Sequence, residues 1–479
     1  MLFCSSRFLQ FFALVGALYW LLPWKRARVY LLLAASFWFY RELCLELADA
    51  RLAWIVLGMA CIDYVVGLAL EATSSKRGRQ LLLVTSICVN LGVLGYLKYA
   101  NFFLKAVAQS ADLFGLHIHT GTLHILMPIG ISFYTFEAIN YTVDVYRRKL
   151  PAERNLANFL LFILFFPHLV AGPIVRSRDF LTQVRRPKRW NWLRCQWGLS
   201  LLLSGAFKKL VVADRLALLV DPVFGEPGAF ATGATWLAVA AYALQIYGDF
   251  SGYSDLAIGF AHLLGYRLGP NFNMPYLAVN ISDFWRRWHI SLSSWLRDYL
   301  FIPLGGSRGS RWQSARNLLI TMTLGGLWHG ANWTFIVWGM MHGLLLAGHR
   351  EFRNWCDHRP RLSAFLASSA GTVLRVLATV GCDILLWIPF RARTFGDMAT
   401  ILERMFSIVP GRRADLPEIS LLFLFLLLVI GHLFTLRVRW LQSLRRLPAF
   451  VQAGAYAAAT TAILLLAPPA GKTFIYFQF

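Results

Sequence analysis

The sequence predicts an all-α integral membrane protein, with about eleven transmembrane helices plus re-entrant or interfacial pieces. Three observations lead there. Of 479 residues, 57% are hydrophobic and only 15% are charged, where a soluble domain carries about 25% charged residues. Residues 80–97, 155–175, 227–248, 419–436 and 447–471 each lack Lys, Arg, Asp and Glu, and 317–349 is the longest such run. Basic residues gather in short clusters between these runs, as in Lys25-Arg26-Ala27-Arg28, Lys76-Arg77-Gly78-Arg79, Arg185-Arg186-Pro187-Lys188-Arg189 and Arg437-Val438-Arg439.

Each observation constrains the elements in turn. Spanning a hydrocarbon core takes roughly 20 helical residues, and a backbone in lipid must satisfy its polar groups within the segment, which a helix does. A β-barrel requires short alternating segments, which are missing from the sequence. The net charge of +23 invites a nucleic-acid reading, but its confinement to loops fits the positive-inside rule and anionic headgroups, so the expected partner is the bilayer and not nucleic acid. The first apolar run, 8–23, ends in a basic cluster and not in a small-residue cleavage site, so it reads as a retained helix with its N-terminus outside. With no polar linker between runs, the chain reads as a single polytopic domain, 1–479.

The seven cysteines, Cys4, Cys44, Cys61, Cys88, Cys195, Cys356 and Cys382, have no ligand spacing and define no disulfide framework. Some segments are unlike simple spans. Residues 195–207 are short for a crossing and read as a re-entrant or interfacial piece. Residues 247–304 mix apolar residues with Asp249, Asp255, Arg267, Asp283, Arg286, Arg287, Arg297 and Asp298. Within them, 281–304 reads as an amphipathic helix with Trp285, Trp288, Leu292, Leu296 and Tyr299 on one stripe and His289 beside it. Such a helix lies at the interface or lines an aqueous cavity.

Few motifs carry chemistry. There is no HExxH, Gly248-Asp249-Phe250-Ser251-Gly252 is out of register for a nucleophile elbow, and Ala470-Gly471-Lys472-Thr473 lacks the first glycine of a phosphate loop. His117, His119 and His124 read as a polar loop, with metal binding the lesser alternative, and no metal site is expected. Asp63, alone in an apolar segment, is expected to be paired inside the bundle. The most informative stretch is Gly325-Gly326-Leu327-Trp328-His329-Gly330-Ala331-Asn332-Trp333. Glycines there let the backbone break or approach closely. A histidine in an uncharged run is either a neutral ring bonding across helices or a catalytic base, and the residues alone leave both open. Farther on, Trp338, His342 and His349 share one helix face. Imidazole suits acyl transfer, because a neutral ring can take the proton of a hydroxyl that attacks a thioester, with no chain-borne nucleophile.

Residues 284–306, from Phe284-Trp285-Arg286-Arg287-Trp288-His289 to Pro303-Leu304-Gly305-Gly306, closely resemble the bacterial branch of the membrane-bound O-acyltransferases, as does Gly326-Leu327-Trp328-His329-Gly330-Ala331. The resemblance extends to residues 127–134, 166–174 and 249–255, and the final Phe474-Ile475-Tyr476-Phe477-Gln478-Phe479 looks like the end of the alginate O-acetyltransferase group. It implies a ring of helices around a thinned centre with a tunnel, and a catalytic core over 247–349. It implies His329 as the catalytic residue and His289 as the second functional histidine. It also implies an enzyme of a bacterial inner membrane with no bound cofactor, which passes acetyl from a cytoplasmic thioester such as acetyl-CoA to an extracytoplasmic acceptor. Periplasmic accessory proteins would be its partners, and an exopolysaccharide such as alginate, or cellulose, the final acceptor. D-alanyl transfer to a teichoic-acid-type polymer and non-catalytic transport of an acyl carrier or polymer are the alternatives.

Overall fold

The computed structural model describes residues 3–47, 49–118, 121–169, 172–413, 447–468, 472 and 474–475. The uncharged run 419–436, Arg437, Arg439, His119, Val170, Ala171 and residues 476–479 lie outside them. Every regular element among the described residues is a helix, and the extended pairing among them is an isolated bridge between Phe230 and Arg412. Apolar runs become helices because a helix satisfies its own backbone, and polar side chains close the exposed ends. Ser5 Oγ accepts from Phe8 N at 3.2 Å to open the helix Ser6–Leu21, and Ser75 Oγ accepts from Gly78 N at 3.3 Å to open Lys76–Leu94.

Among the described residues, four helices are long and apolar enough to cross a membrane: Leu52–Ala72, Lys76–Asp112, Ser369–Arg391 and Ala449–Leu466. Other charge-free runs among the described residues do not map one to one onto spans: most of 227–248 lies in the longer helix Thr232–Leu263. Residues 155–175 break at Phe165 into the buried helix Leu156–Leu164 and a single turn, Phe166–Leu169. Pro167 has no N–H to give to Ile163, so the helical ladder cannot continue. Residues 195–207, expected as a separate short piece, belong to a helix Trp192–Ala206 that runs on through a π-helical turn, Phe207–Ala213, into Asp214–Gly225.

The chain divides into two compact units, Met1–Leu199 with Ala257–Gly269, and Ser200–Leu256 with Pro270–Phe479. In the first, the helix Ile131–Tyr146 is buried along almost its whole length, although it carries Thr135, Glu137, Asn140 and Asp144. Thr135, Glu137 and Asn140 are matched locally, as buried polar groups must be. Asp63 accepts from Tyr134 Oη at 2.7 Å, Ser86 Oγ at 2.8 Å and Asn90 Nδ2 at 2.9 Å, so it is paired as expected, by neutral donors. Glu137 Oε1 lies 3.3 Å from His168 Nε2 and accepts from Val175 N at 3.1 Å.

In the second unit, the uncharged run 317–349 forms a hairpin of two helices, Arg311–His329 and Trp333–Asp357. Ser310 and Gln313 form a reciprocal capping box at the start of the first arm, and Asn332 Oδ1 accepts from Thr334 N at 3.1 Å to open the second. The arms touch backbone to backbone. A Cβ at Gly326 would strike the Phe335 carbonyl, and one at Gly339 would strike the Met322 carbonyl. Residues 281–304 are not one amphipathic helix. They form Ile281–Arg287, Ile290–Leu296 and a π-helical turn, Arg297–Phe301, interrupted at Trp288 and His289. The cause is tertiary: the backbone of the loop after Pro270 takes over hydrogen bonds at the gap, with Ile290 N donating to Asn271 O at 2.8 Å and Asn273 N to Arg287 O at 2.9 Å. The expected stripe is buried all the same, at Trp285, Trp288, Leu292 and Leu296.

Candidate active site

His289 occupies the break. Its backbone is left-handed (φ 41°, ψ 54°), a conformation uncommon outside glycine, although histidine, like asparagine and aspartate, adopts it more readily than other side chains. Its side chain is wholly buried, with its ring 4.6 Å from that of Phe250, edge to face. Asn271 orients the ring. Asn271 Oδ1 accepts from the Ser291 backbone N–H at 3.3 Å, a group that can only donate, which establishes which end of the amide is oxygen; its Nδ2 donates to Ser254 Oγ at 3.1 Å, and Ser291 Oγ donates to the same Oδ1 at 2.8 Å. That oxygen lies 3.1 Å from His289 Nδ1, so Nδ1 carries the proton and Nε2 presents its lone pair. Nε2 is buried and has no hydrogen-bond partner among the described residues. This is the arrangement of a base held in one tautomer.

His329 is the last residue of its helix, at the point where the hairpin turns. Three aromatic rings surround it edge to face: Trp328 at 5.0 Å, Trp338 at 5.1 Å and Phe390 at 5.2 Å. Trp328 also lies 6.2 Å from the His289 ring. The two histidines expected from the sequence, forty residues apart in the chain, therefore flank one indole.

A third histidine joins them. His342 packs 4.7 Å from Trp338, one turn along the second arm, and its Nδ1 accepts from Trp285 Nε1 at 3.3 Å. It is thus held in the tautomer opposite to that of His289. Trp285 also lines a cavity of about 460 Å³ with Arg286, Arg297, His349, Arg350 and Arg353, and no acidic side chain lines it. Asp383 is buried, with neither carboxylate oxygen bonded among the described residues. It stands one turn before Trp387, whose ring packs on Trp288 at 4.9 Å and Phe390 at 5.3 Å.

Two distant sequence motifs meet behind His289. Ile475 N donates to Asp249 Oδ2 at 2.7 Å, and the Phe474 ring lies 4.5 Å from Tyr253 and 5.8 Å from Phe250. Lys209 Nζ bridges Asp249 Oδ1 at 2.7 Å and Asp214 Oδ1 at 2.8 Å. The near-terminal residues thereby brace the helix that carries Phe250.

A family model described as MBOAT, membrane-bound O-acyltransferase family, matches residues 147–368, which include all three histidines. A probable alginate O-acetylase of Pseudomonas aeruginosa is 42% identical over 88% of this chain and 78% of its own length. The chain belongs to the membrane-bound O-acyltransferase family. It is therefore an enzyme, an O-acyltransferase. A peptidoglycan O-acetyltransferase of Helicobacter pylori is 35% identical over 73% of this chain and 69% of its own, and a teichoic acid D-alanyltransferase of Bacillus subtilis is 27% identical over 48% and 61%. Within this acyltransferase, sequence reasoning located His289 and His329 and noted the helix face of His342. It missed Asn271, which reaches His289 only through the loop after Pro270, and Asp383, whose one signal is a lone acid between Arg375 and Arg391. His117 stands in an exposed loop, its Nδ1 3.2 Å from Asp112.

Proposed function

We propose that this acyltransferase moves acetyl groups from a cytoplasmic thioester to a hydroxyl outside the membrane, for O-acetylation of an exopolysaccharide such as alginate. The observation that carries the proposal is the pair of buried histidines flanking Trp328, one of them presenting an unprotonated Nε2. His329 acts as general base. It takes the acceptor hydroxyl's proton as that oxygen attacks the thioester carbonyl, and the collapsing intermediate expels the thiolate, which regains a proton to leave as thiol. His289 positions the acceptor or relays the proton, with Asn271 holding its tautomer. The products are an ester and a free thiol, so no redox partner is needed.

The arginine-lined cavity beside Trp285 supports a donor that carries phosphate, as acetyl-CoA does, since guanidinium groups pair with phosphate oxygens. About eleven spans in a bacterial inner membrane would set donor and acceptor on opposite faces, and periplasmic accessory proteins would carry the group onward. The relatives named for alginate and peptidoglycan O-acetylation support a polysaccharide as final acceptor. Partial similarity to the D-alanyltransferase keeps alanyl transfer as the second reading.

The test is radiolabelled acetyl transfer to polymer by membranes carrying wild type or His329→Ala, with labelled alanine in parallel. Loss of acetyl transfer by about 10²- to 10⁴-fold at equal membrane insertion is expected. Unchanged polymer acetylation in the variant would overturn the assignment, and transfer of alanine in place of acetate would overturn the donor.

A further inference from the structure

The first unit holds a second basic recess, with no carboxylate in its lining. It is formed where the turn between the helices Ser6–Leu21 and Lys25–Leu47 meets the loop 185–191, and it is lined by Tyr19, Lys25, Arg28, Arg186, Lys188 and Tyr266, among others. The partners that hold Lys25, Arg28 and Lys188 are backbone carbonyls and rings. Lys25 Nζ donates to Arg185 O at 2.5 Å, and Arg28 donates to Leu22 O at 2.7 Å and Lys188 O at 2.9 Å. Lys188 Nζ sits 4.3 Å over the Tyr266 ring. Neither Arg186 nor Lys188 makes an ion pair among the described residues.

Cations crowded in this way repel one another. Burial, together with the nearby Arg194, Arg186 and Lys25, pulls Lys188 down to about 8. Lys25 and Arg28 also stand in the first turn of a 23-residue helix with no acid in that turn, at the end whose dipole favours negative charge. The arrangement therefore calls for an anion from outside the chain. The recess measures about 40 Å³, room for roughly three waters and hence for a phosphate group but not a nucleotide.

Its surroundings indicate which phosphate. Leu21, Trp24, Trp190, Trp192 and Leu193 are exposed around it, and Trp190 packs edge to face with both Trp20 at 5.1 Å and Trp192 at 5.2 Å. Exposed tryptophans beside basic residues mark the depth of lipid headgroups. We propose that this recess binds the phosphate of an anionic phospholipid, which clamps the first helical turn to the 185–191 loop.

Native mass spectrometry of the full-length protein in neutral detergent, titrated with dioleoyl phosphatidylglycerol, dioleoyl phosphatidylcholine or inorganic phosphate, tests this. The expected result is at least about tenfold preference for phosphatidylglycerol over phosphatidylcholine. The double variant Arg186→Gln/Lys188→Gln should weaken that binding by about thirtyfold, since each cation near a lipid surface contributes about 1 kcal/mol. Lys188→Arg in an Arg186 background should retain it. A control on exposed cations elsewhere, Lys76→Gln/Arg77→Gln, should change it little. Equal affinity for both lipids, inorganic phosphate displacing the lipid, or equal loss in the control would each overturn the proposal. Arg28 is left intact because its carbonyl bonds hold the fold of the turn.

Discussion

His289 and His329 reach the same indole from segments built in opposite ways. His289 sits at a break in a helix, on a left-handed residue, and is held by polar contacts: Asn271, and behind it Ser254 and Ser291. His329 ends a regular helix and is held in a cage of three aromatic rings, with close glycine contacts fixing the hairpin that carries it. A hydrogen bond to one ring nitrogen selects a tautomer, while edge-to-face packing selects a position. The two surroundings therefore differ in what they hold fixed. Around His289 a side-chain amide sets the tautomer, and around His329 three rings set the position of the imidazole.

That contrast can be broken at several points. The largest expected effect is at the polar foundation of the His289 side. Asp249→Ala removes one of two carboxylates from a buried lysine and the anchor of Ile475 N, and should lower stability by about 3 kcal/mol, the low end for a broken buried pair because Lys209 keeps Asp214. Thermal unfolding in detergent measures it, and an unchanged midpoint would mean the near-terminal residues do not brace the site. Next comes Asn271→Ala, which frees the His289 tautomer. It should cut kcat about ten- to a hundredfold with little change in KM, and Asn271→Asp, which still accepts from Nδ1, should restore part of the loss. A fall in KM-dependent binding alone would assign Asn271 to packing. The smallest effect is expected at Trp285→Phe, which keeps the ring against Trp338 but removes the donor to His342. A neutral hydrogen bond contributes about 1 kcal/mol, so activity should fall less than tenfold. A loss as large as that of Asn271→Ala would make His342 the oriented base and dissolve the comparison.

Much of this was legible before any coordinates. The charge-free runs and the basic clusters between them announced a helical membrane protein, because the bilayer penalises unpaired polar groups whatever the fold, although two of those clusters, at Lys25 and Lys76, form the first turns of helices. Asp63 was readable as a paired acid for the same reason, and the glycines around His329 announced a break and a close approach, both of which occur at Gly330 and Gly326. Continuity was not legible. The stretch 281–304 has a sound helical stripe, yet it breaks because the loop after Pro270 offers better hydrogen bonds at Arg287 and Ile290. Likewise 155–175 is apolar enough for a span but holds a buried nine-residue helix and a turn.

Composition, run length and ordered motifs are properties of a one-dimensional string, and they were enough for the class of protein, the family and the two histidines most worth testing. That those histidines share Trp328, that Asn271 selects the proton on one of them, and that Phe474 and Ile475 stand behind it came from packing. Those are relations between residues far apart in the chain, and a tautomer or a ring contact exists only once packing has brought the partners within hydrogen-bond or van der Waals reach.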